Sequence, residues 1–124
     1  MLTEEVKKVV EGSAPSEDVV LIVSVSKRPD DSEVFRHKDR KSRRDFVDLF
    51  YSRAKEPLLA QVQSLQPLGA RIVDVLHGTP QMVVSAPAST WREAINREDS
   101  FFLKSDVTLF PNERAFGLPD QTSS

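Results

Sequence analysis

The feature that most constrains the fold is a run of apolar, mostly β-branched residues near the start of the chain, VVLIVSVS at residues 19–26. The run is too short for a buried helix of ordinary length and has polar residues on both sides, so it predicts a β-strand. Apolar side chains fall on both faces of this strand, which is typical of a strand in the middle of a sheet. We therefore expect a sheet built around residues 19–26.

A long helical pattern follows this strand. Apolar residues recur at spacings of three or four, which indicates one helix face that packs on a core: Phe46, Phe50, Ala54, Leu58, Val62 and Leu65. Ser42 with Asp45 resembles a capping box at the start of the helix, and residues 67–69 predict its end. Pro57 interrupts the pattern, but the apolar phase continues through it, so we expect a kink or a short break there.

Two short strands, a second helix and a last strand complete the pattern. The predicted ranges are 70–76 and 81–86 for a hairpin, 91–96 for a short helix, and 103–110 for the last strand. Ser89 or Thr90 is expected to cap the short helix. The order strand, helix, strand, strand, helix, strand predicts an α+β fold of the ferredoxin-like βαββαβ kind, in which two helices pack on one face of an antiparallel sheet.

We expect one folded domain at residues 19–110. Residues 1–18 contain a short helical pattern with Thr3 as its N-cap, followed by a polar linker, and we interpret them as a mobile or loosely docked leader. Residues 27–41 are charged and contain a proline, which predicts a long exposed loop. Residues 111–124 finish in small polar residues and are expected to form an extended C-terminal tail.

The residue patterns of catalytic and metal sites are missing. The chain has no cysteine, which excludes disulfides, thiolate nucleophiles and cysteine-ligated zinc. His37 and His77 lie far apart, without carboxylates at a metal-site spacing, and we expect His77 to be an ordinary exposed imidazole at a turn. There is no glycine-rich phosphate loop and no nucleophile elbow. The sequence therefore predicts neither an enzyme nor a bound metal or other cofactor.

The overall charge argues against two classes of partner. The chain carries 17 basic and 19 acidic side chains, a formal net charge of −2, so the molecule as a whole does not attract nucleic acid or anionic membranes. No apolar run reaches membrane-spanning length, and the N-terminus lacks the pattern of a secretory signal, which predicts no membrane partner and a cytoplasmic location. Ferredoxin-like domains that bind RNA use aromatic residues on the central strands, whereas this sequence has aliphatic residues there.

One local run departs from this balance. Most side chains between residues 36 and 44 are basic, and they form a candidate basic patch: Arg36, Lys38, Arg40, Lys41, Arg43 and Arg44. Such a patch can attract phosphate or an acidic partner. The simpler interpretation, which we favour, is a solvated loop and helix start balanced by nearby acidic residues. Basic residues at a helix N-terminus nevertheless oppose the helix macrodipole, so the run is unusual for a purely structural segment.

The C-terminal tail carries large apolar residues at intervals outside any predicted element, among them Phe116 and Leu118. Such a tail suits recognition by strand addition to the edge of a partner's sheet, with its side chains in separate pockets. The same residues are equally consistent with a tail that folds back onto its own domain. The residues alone leave these two interpretations open.

Taken together, these elements resemble the propeptides of subtilisin-type serine proteases and the propeptide-like proteinase inhibitors. The likeness covers residues 19–119 and includes the motifs LGARIV at residues 68–73 and SDVTLFPNE at residues 105–113. Proteins of this family act as intramolecular chaperones and as inhibitors of subtilisin-type proteases. The loop and helix of this chain between residues 27 and 66 are longer than the usual first crossover of the family.

The resemblance implies a role for the tail. Asn112 and Glu113 match the acidic bend with which the family caps helix N-termini on the protease surface. Residues 114–118 match the part of the tail that runs like a substrate into the active-site cleft, where Phe116 or Leu118 would occupy the primary specificity pocket. The implied partner-binding residues are Asn112, Glu113, Arg114, Ala115, Phe116 and Leu118.

The sequence thus leads to two functional hypotheses. The first is a propeptide-like inhibitor or chaperone that docks its sheet face on a subtilisin-type serine protease and places its tail in the active-site cleft. The alternative is a ferredoxin-like regulatory module that self-associates through its sheet into a homo-oligomer, with the basic run contacting an acidic or nucleic-acid partner.

Overall fold

A computed structural model describes residues 3–97, 100–104 and 106–111 of the chain. In this part of the chain there are four α-helices, α1 (Glu4–Gly12), α2 (Asp31–Arg36), α3 (Arg40–Ser64) and α4 (Ala88–Ile95). The four strands are β1 (Asp18–Val25), β2 (Arg71–Asp74), β3 (Gln81–Pro87) and β4 (Val107–Pro111). There are also two 3₁₀ turns: Gln66–Leu68 follows α3, and Phe101–Leu103 precedes β4.

The four strands form one antiparallel sheet in the order β2-β3-β1-β4. β1 lies inside the sheet between β3 and β4, as its continuous apolar run predicts. The crossover from β1 to β2 contains α3, and the crossover from β3 to β4 contains α4. The predicted α+β fold is confirmed, because this strand order and these crossovers agree with a ferredoxin-like arrangement.

The core lies between the sheet and the helices. Opposite residues on antiparallel strands share a face, and Val23 pairs with both Met82 and Leu109. All three side chains are completely buried, as are Leu58 and other residues on the helices. Each such side chain contributes roughly 1.5–3 kcal/mol relative to remaining exposed. The alternation of buried and half-buried residues along β1 therefore distinguishes a core face from a second face.

Trp91 connects α4 to the central strand. Its side chain is buried, and the indole N–H donates a hydrogen bond of 2.9 Å to the backbone carbonyl of Val19. The ring also packs against Phe102, with the ring centroids 5.4 Å apart. A buried indole needs a hydrogen-bond partner, and the carbonyl of β1 provides it without interrupting the core.

The N-terminal helix belongs to the core. The predicted helix and its cap are confirmed, since the backbone N–H of Val6 donates to the Thr3 hydroxyl. The interpretation of this segment as mobile or loosely docked is wrong, because Val6 and Val10 are completely buried in the core cluster. The Arg92 guanidinium also donates to three carbonyls at the end of the helix, those of Val10, Glu11 and Ser13, at 3.0, 3.3 and 2.7 Å. These contacts suit a cation at a helix C-terminus.

The segment predicted as a long loop, residues 27–41, contains the short helix α2. Asp30 is its N-cap, and its carboxylate accepts hydrogen bonds from the backbone N–H and the hydroxyl of Ser32. Two acidic residues, Asp31 and Glu33, stand in the first turn, where the macrodipole favours them. The loop prediction missed α2 because this helix buries none of its side chains and therefore shows no apolar period.

The long helix α3 starts earlier than predicted and continues through its proline. Its N-cap is Asp39, so the predicted start at a Ser42 capping box is wrong. The helix passes Pro57 without a break and ends at Ser64. This end lies three residues before the predicted range 67–69, whereas Gly69 adopts the expected left-handed conformation with φ of 97°.

Other element boundaries shift by a few residues. α4 begins at Ala88 with Pro87 as N-cap, and neither Ser89 nor Thr90 caps it. The Thr90 hydroxyl instead donates to the carbonyl of Leu68 at 2.6 Å. β4 begins at Val107 and not at residue 103, because the apolar residues before it form a 3₁₀ turn.

Candidate functional site

One face of the sheet carries alternate residues that point away from the core. It is formed by Val20, Ile22 and Ser24 of β1, Val83 and Ser85 of β3, and Thr108 and Phe110 of β4, which we call the open sheet face. Ile22 lies at its centre, opposite both Val83 and Phe110. The helix residues of the core cluster pack against the other face of β1. None of the seven residues is charged, although the exposed Arg71 of β2 lies opposite Ser85 at the edge of the same face. Val83 and Ser85 are buried, and Phe110 is 39% exposed.

The open sheet face is adjacent to the start of the predicted tail. β4 is an edge strand, and its last residue, Pro111, is opposite Leu21. The tail residues predicted to bind a partner, Asn112, Glu113, Arg114, Ala115, Phe116 and Leu118, lie outside the described residues. The structure therefore describes the sheet up to the residue from which the tail continues.

The residues of the candidate basic patch lie at the corner between α2 and α3. Arg36, Lys38, Arg40, Lys41 and Arg44 are exposed there. Arg43 has a different role, since its Nε donates to the carbonyl of His37 at 2.8 Å and its guanidinium lies 5.1 Å from the centre of the Phe35 ring. Arg43 therefore ties α2 to α3, and the other five residues form the exposed part of the patch.

An acidic side chain at the start of α3 interrupts this basic corner. Asp39 precedes the helix as its N-cap. Hydrogen bonding with the Ser42 side chain lowers the pKa of the Asp39 carboxyl, and the charge of Arg43 acts in the same direction. The ionised carboxylate offsets part of the unfavourable interaction between the basic residues and the helix macrodipole.

An elongated groove runs along α3. Its wider part has a volume of about 410 Å³ and is lined by apolar and charged residues: Phe46, Leu49, Phe50, Ala54, Lys27, Glu33 and Arg53. Its narrower part, of about 210 Å³, shares Lys27 and Ala54 and continues to Pro57 and Leu58. We call these two neighbouring cavities, which share two lining residues, the α3 groove.

Sequence reasoning missed the groove because it assigned the whole apolar stripe of α3 to the core. Leu58, Val62 and Leu65 are buried as predicted. Phe46, Phe50 and Ala54 are only half-buried, and no residue of α3 before Lys55 is buried. The helix has 25 residues and is about 37 Å long, whereas the eight-residue strand β1 spans about 26 Å. The helix is thus about 11 Å longer than β1, and its buried residues begin at Lys55.

Lys55 is a second feature that the sequence did not reveal. It is 1% exposed, and its ammonium group donates hydrogen bonds to three backbone carbonyls between β2 and β3: those of Val75, Leu76 and Gln81, at 2.6, 3.3 and 3.0 Å. Burial lowers the pKa of Lys55, and the negative charge of Asp74 partly opposes this effect. Because the ammonium group already donates to these carbonyls, the role of Lys55 is structural.

Two further kinds of site are missing from the part of the chain that the structure describes. Within residues 3–97, 100–104 and 106–111, no group of three or more metal-ligating side chains could hold an ion. None of the helices described is long and apolar enough to cross a membrane. His77 is exposed, at the turn between β2 and β3.

The comparisons with known proteins found no match. The chain matches no model of a known protein family, no curated protein and no solved structure.

Proposed function

We propose that this protein is a propeptide-like inhibitor or chaperone of a subtilisin-type serine protease. In this proposal the open sheet face docks on the surface of the protease, and the C-terminal tail lies in the active-site cleft. The protein acts by binding and carries out no catalysis itself.

The observation that carries the proposal is the position of β4. This edge strand contributes Phe110 to the open sheet face and ends at Pro111, directly before the tail. A partner that covers the open sheet face therefore meets the start of the tail at the same edge. Strand and tail can in this way form one continuous binding surface.

The chemistry of the open sheet face also supports docking on a protein. Its centre is aliphatic at Val20, Ile22 and Val83, and the aromatic ring of Phe110 lies beside it. Hydroxyl side chains of serine and threonine complete the face. A surface without charge at its centre, with an aromatic residue, is typical of the buried part of a protein interface.

The test is a titration of the protein into a panel of subtilisin-type proteases, with residual activity measured on a peptide substrate. A variant that ends at Phe110 is the first control. We expect stoichiometric inhibition by the full chain, and its loss in the shortened variant, because the tail is the part that enters the cleft. Inhibition that persists without residues 111–124 would contradict the proposal.

A substitution on the sheet tests the docking surface separately. Phe110→Lys places a charge on the open sheet face, and we expect it to weaken inhibition about tenfold or more. Leu68→Lys is the matched control, since Leu68 is 46% exposed in the 3₁₀ turn after α3. Equal effects of the two substitutions would show that the sheet face is not the docking surface.

A regulatory module that self-associates through its sheet is the second candidate. The clustering of Arg36, Lys38, Arg40, Lys41 and Arg44 at one corner favours it, because such a corner can bind an acidic or nucleic-acid partner. This candidate predicts an oligomer in light scattering and a salt-dependent partner. A strictly monomeric protein whose binding is insensitive to salt would exclude it. We further propose a cytoplasmic location for the protein, which cell fractionation would test.

A further inference from the structure

The α3 groove has an apolar floor that the core of the protein covers only in part. Phe46, Phe50 and Ala54 continue the stripe that is buried further along α3, yet they remain half-buried. Leu49 on the same lining is 50% exposed, and Phe35 on α2 is 65% exposed. Large apolar side chains left in contact with water next to a cavity are typical of a surface that binds a partner.

The groove has the dimensions of a peptide site. Its two parts share Lys27 and Ala54 and lie next to each other along the helix from Phe46 to Leu58. These twelve helical steps correspond to about 18 Å. An extended segment of about five residues has the same length. The wider part, of about 410 Å³, is large enough to accept bulky side chains of such a segment.

The charge around the groove selects the partner. Residues 27–53, which carry α2 and the first half of α3, contain nine basic and six acidic side chains, whereas the rest of the chain contains eight basic and thirteen acidic ones. Lys27 and Arg53 line the groove itself and are exposed. Two acidic residues, Glu33 and Asp106, line it as well, and Asp106 lies 3.8 Å from the ammonium group of Lys27. The positive charge of the chain is thus concentrated where the unused apolar surface lies, which favours a partner that is both acidic and apolar.

Two observations favour a peptide over a nucleic acid or an anionic membrane. The floor is made of side chains that bury apolar groups, which a phosphate backbone does not offer. In addition, Asp45 and Asp48 lie next to Leu49 around the neighbouring cavity. These carboxylates would repel a continuous layer of phosphates, whereas a peptide can place neutral residues opposite them.

We propose that the α3 groove binds an acidic peptide segment with bulky apolar side chains, supplied by a partner protein. The apolar side chains of the segment occupy the cavity over Phe46, Leu49 and Phe50, and its carboxylates lie towards Lys27 and Arg53. This site is on the helix side of the domain, so it is separate from the open sheet face and does not depend on the protease proposal.

The test uses a random twelve-residue peptide library displayed on phage, selected on the intact protein. Peptides that also bind Leu49→Glu are removed by counter-selection, because a carboxylate at this exposed position blocks the floor and repels an acidic ligand. We expect the remaining peptides to be enriched in Asp or Glu together with Leu, Phe or Trp. Remaining peptides that are basic or free of acidic residues, or no enrichment at all, would overturn the proposal.

One selected peptide is then synthesised with a fluorescent label, and its affinity is measured by anisotropy. We expect Leu49→Glu to weaken binding about tenfold or more, and Arg53→Gln to weaken it about threefold and to reduce its salt dependence. Leu68→Glu and Arg71→Gln are matched controls at exposed positions outside the groove, and they should stay within about twofold of the wild type. Equal losses in controls and groove variants would contradict the proposal.

Three further measurements identify other occupants. The first two measure binding to vesicles that contain about one-third phosphatidylserine and to a single-stranded oligonucleotide. If no peptide is selected and the protein binds one of these probes, and Leu49→Glu abolishes that binding, the occupant is a lipid surface or a nucleic acid instead of a peptide. A dimer in light scattering that Leu49→Glu dissociates would replace it by a second copy of the chain. Phe110→Lys should leave peptide binding intact, so that failure of the protease proposal and failure of this one are distinguishable.

Discussion

The turn between β2 and β3 is organised around the side chain of Lys55. Leu76 has a left-handed backbone conformation with φ of 52°, which is unfavourable for a residue with a branched side chain. Its N–H donates to the Asp74 carboxylate, and its carbonyl accepts from both Lys55 and the Thr79 hydroxyl. The buried ammonium group therefore stabilises a strained turn by donating further hydrogen bonds to its carbonyls.

Replacing Lys55 by Met keeps the length of the side chain and removes the ammonium group. We expect the free energy of unfolding to fall by about 1–3 kcal/mol, because three backbone carbonyls lose their hydrogen bonds with the ammonium group. Urea denaturation measures the change, and Lys8→Met, at an exposed position of α1, should alter stability by less than about 0.5 kcal/mol. A Lys55→Met protein as stable as the wild type would mean that the desolvation of the charge cancels its hydrogen bonds.

The same pair of proteins should also differ in pH dependence. The folded-state pKa of Lys55 lies below its ordinary value of 10.5 because of burial. Between these two values the unfolded chain binds more protons at this site than the folded chain does. The wild type should therefore gain stability relative to Lys55→Met as the pH rises towards 10.5. Urea titrations at several pH values test the sign, and a constant or falling difference would contradict it.

The helices and strands show which parts of the fold a sequence can reveal. β1 and the second half of α3 were predictable because apolar periodicity reports burial directly, as at Leu58 and Val62. The first part of α3, before Lys55, has the same periodicity without the burial, and the α3 groove was missed for this reason. α2 has no apolar periodicity to detect, because none of its side chains is buried. In α1 the pattern is only Val6 with Val10, which is too short to show that the rest of the core will bury these side chains.

The end of α3 depends on a glycine that no other residue can replace without strain. At Gly69, with φ of 97°, an added Cβ would lie 2.9 Å from two side-chain carbons of Pro87. We expect Gly69→Ala to lower the free energy of unfolding by about 1–3 kcal/mol. Gly12→Ala is the matched control, because no atom lies within 4 Å of its added Cβ.

The control substitution Gly12→Ala should raise the free energy of unfolding, opposite to the effect of Gly69→Ala. Gly12 is the last residue of α1, where alanine favours the helix by about 0.5 kcal/mol. Thermal or urea denaturation of both variants gives the comparison. A Gly69→Ala protein that equals or exceeds the wild type in stability would show that the turn after α3 adopts another conformation.

The core connects every layer of the described chain. The buried cluster contains residues of α1, α3 and α4 together with β1, β3 and β4, so no one helix has a core of its own. Val10 of α1 and Trp91 of α4 belong to the same cluster as Leu109 of β4. Such shared packing couples the elements, and the leader helix is therefore expected to unfold together with the sheet.

Trp91 reports on this coupling because it is the chain's one tryptophan and lies in the core. Urea titrations followed by its fluorescence and by far-ultraviolet circular dichroism should give the same midpoint, since dichroism records all helices and fluorescence records the core. A dichroism change at lower urea than the fluorescence change would mean that a helix separates before the core opens.

The change in burial along α3 bears on the evolution of the chain. From Lys55 onwards the helix is restricted by packing, so most changes there lower stability and are removed by selection. Before Lys55 no side chain of α3 is buried, so folding restricts the residues of that stretch less. Retention of Phe46, Leu49 and Phe50 among descendants of this protein would therefore record selection for what the helix contacts.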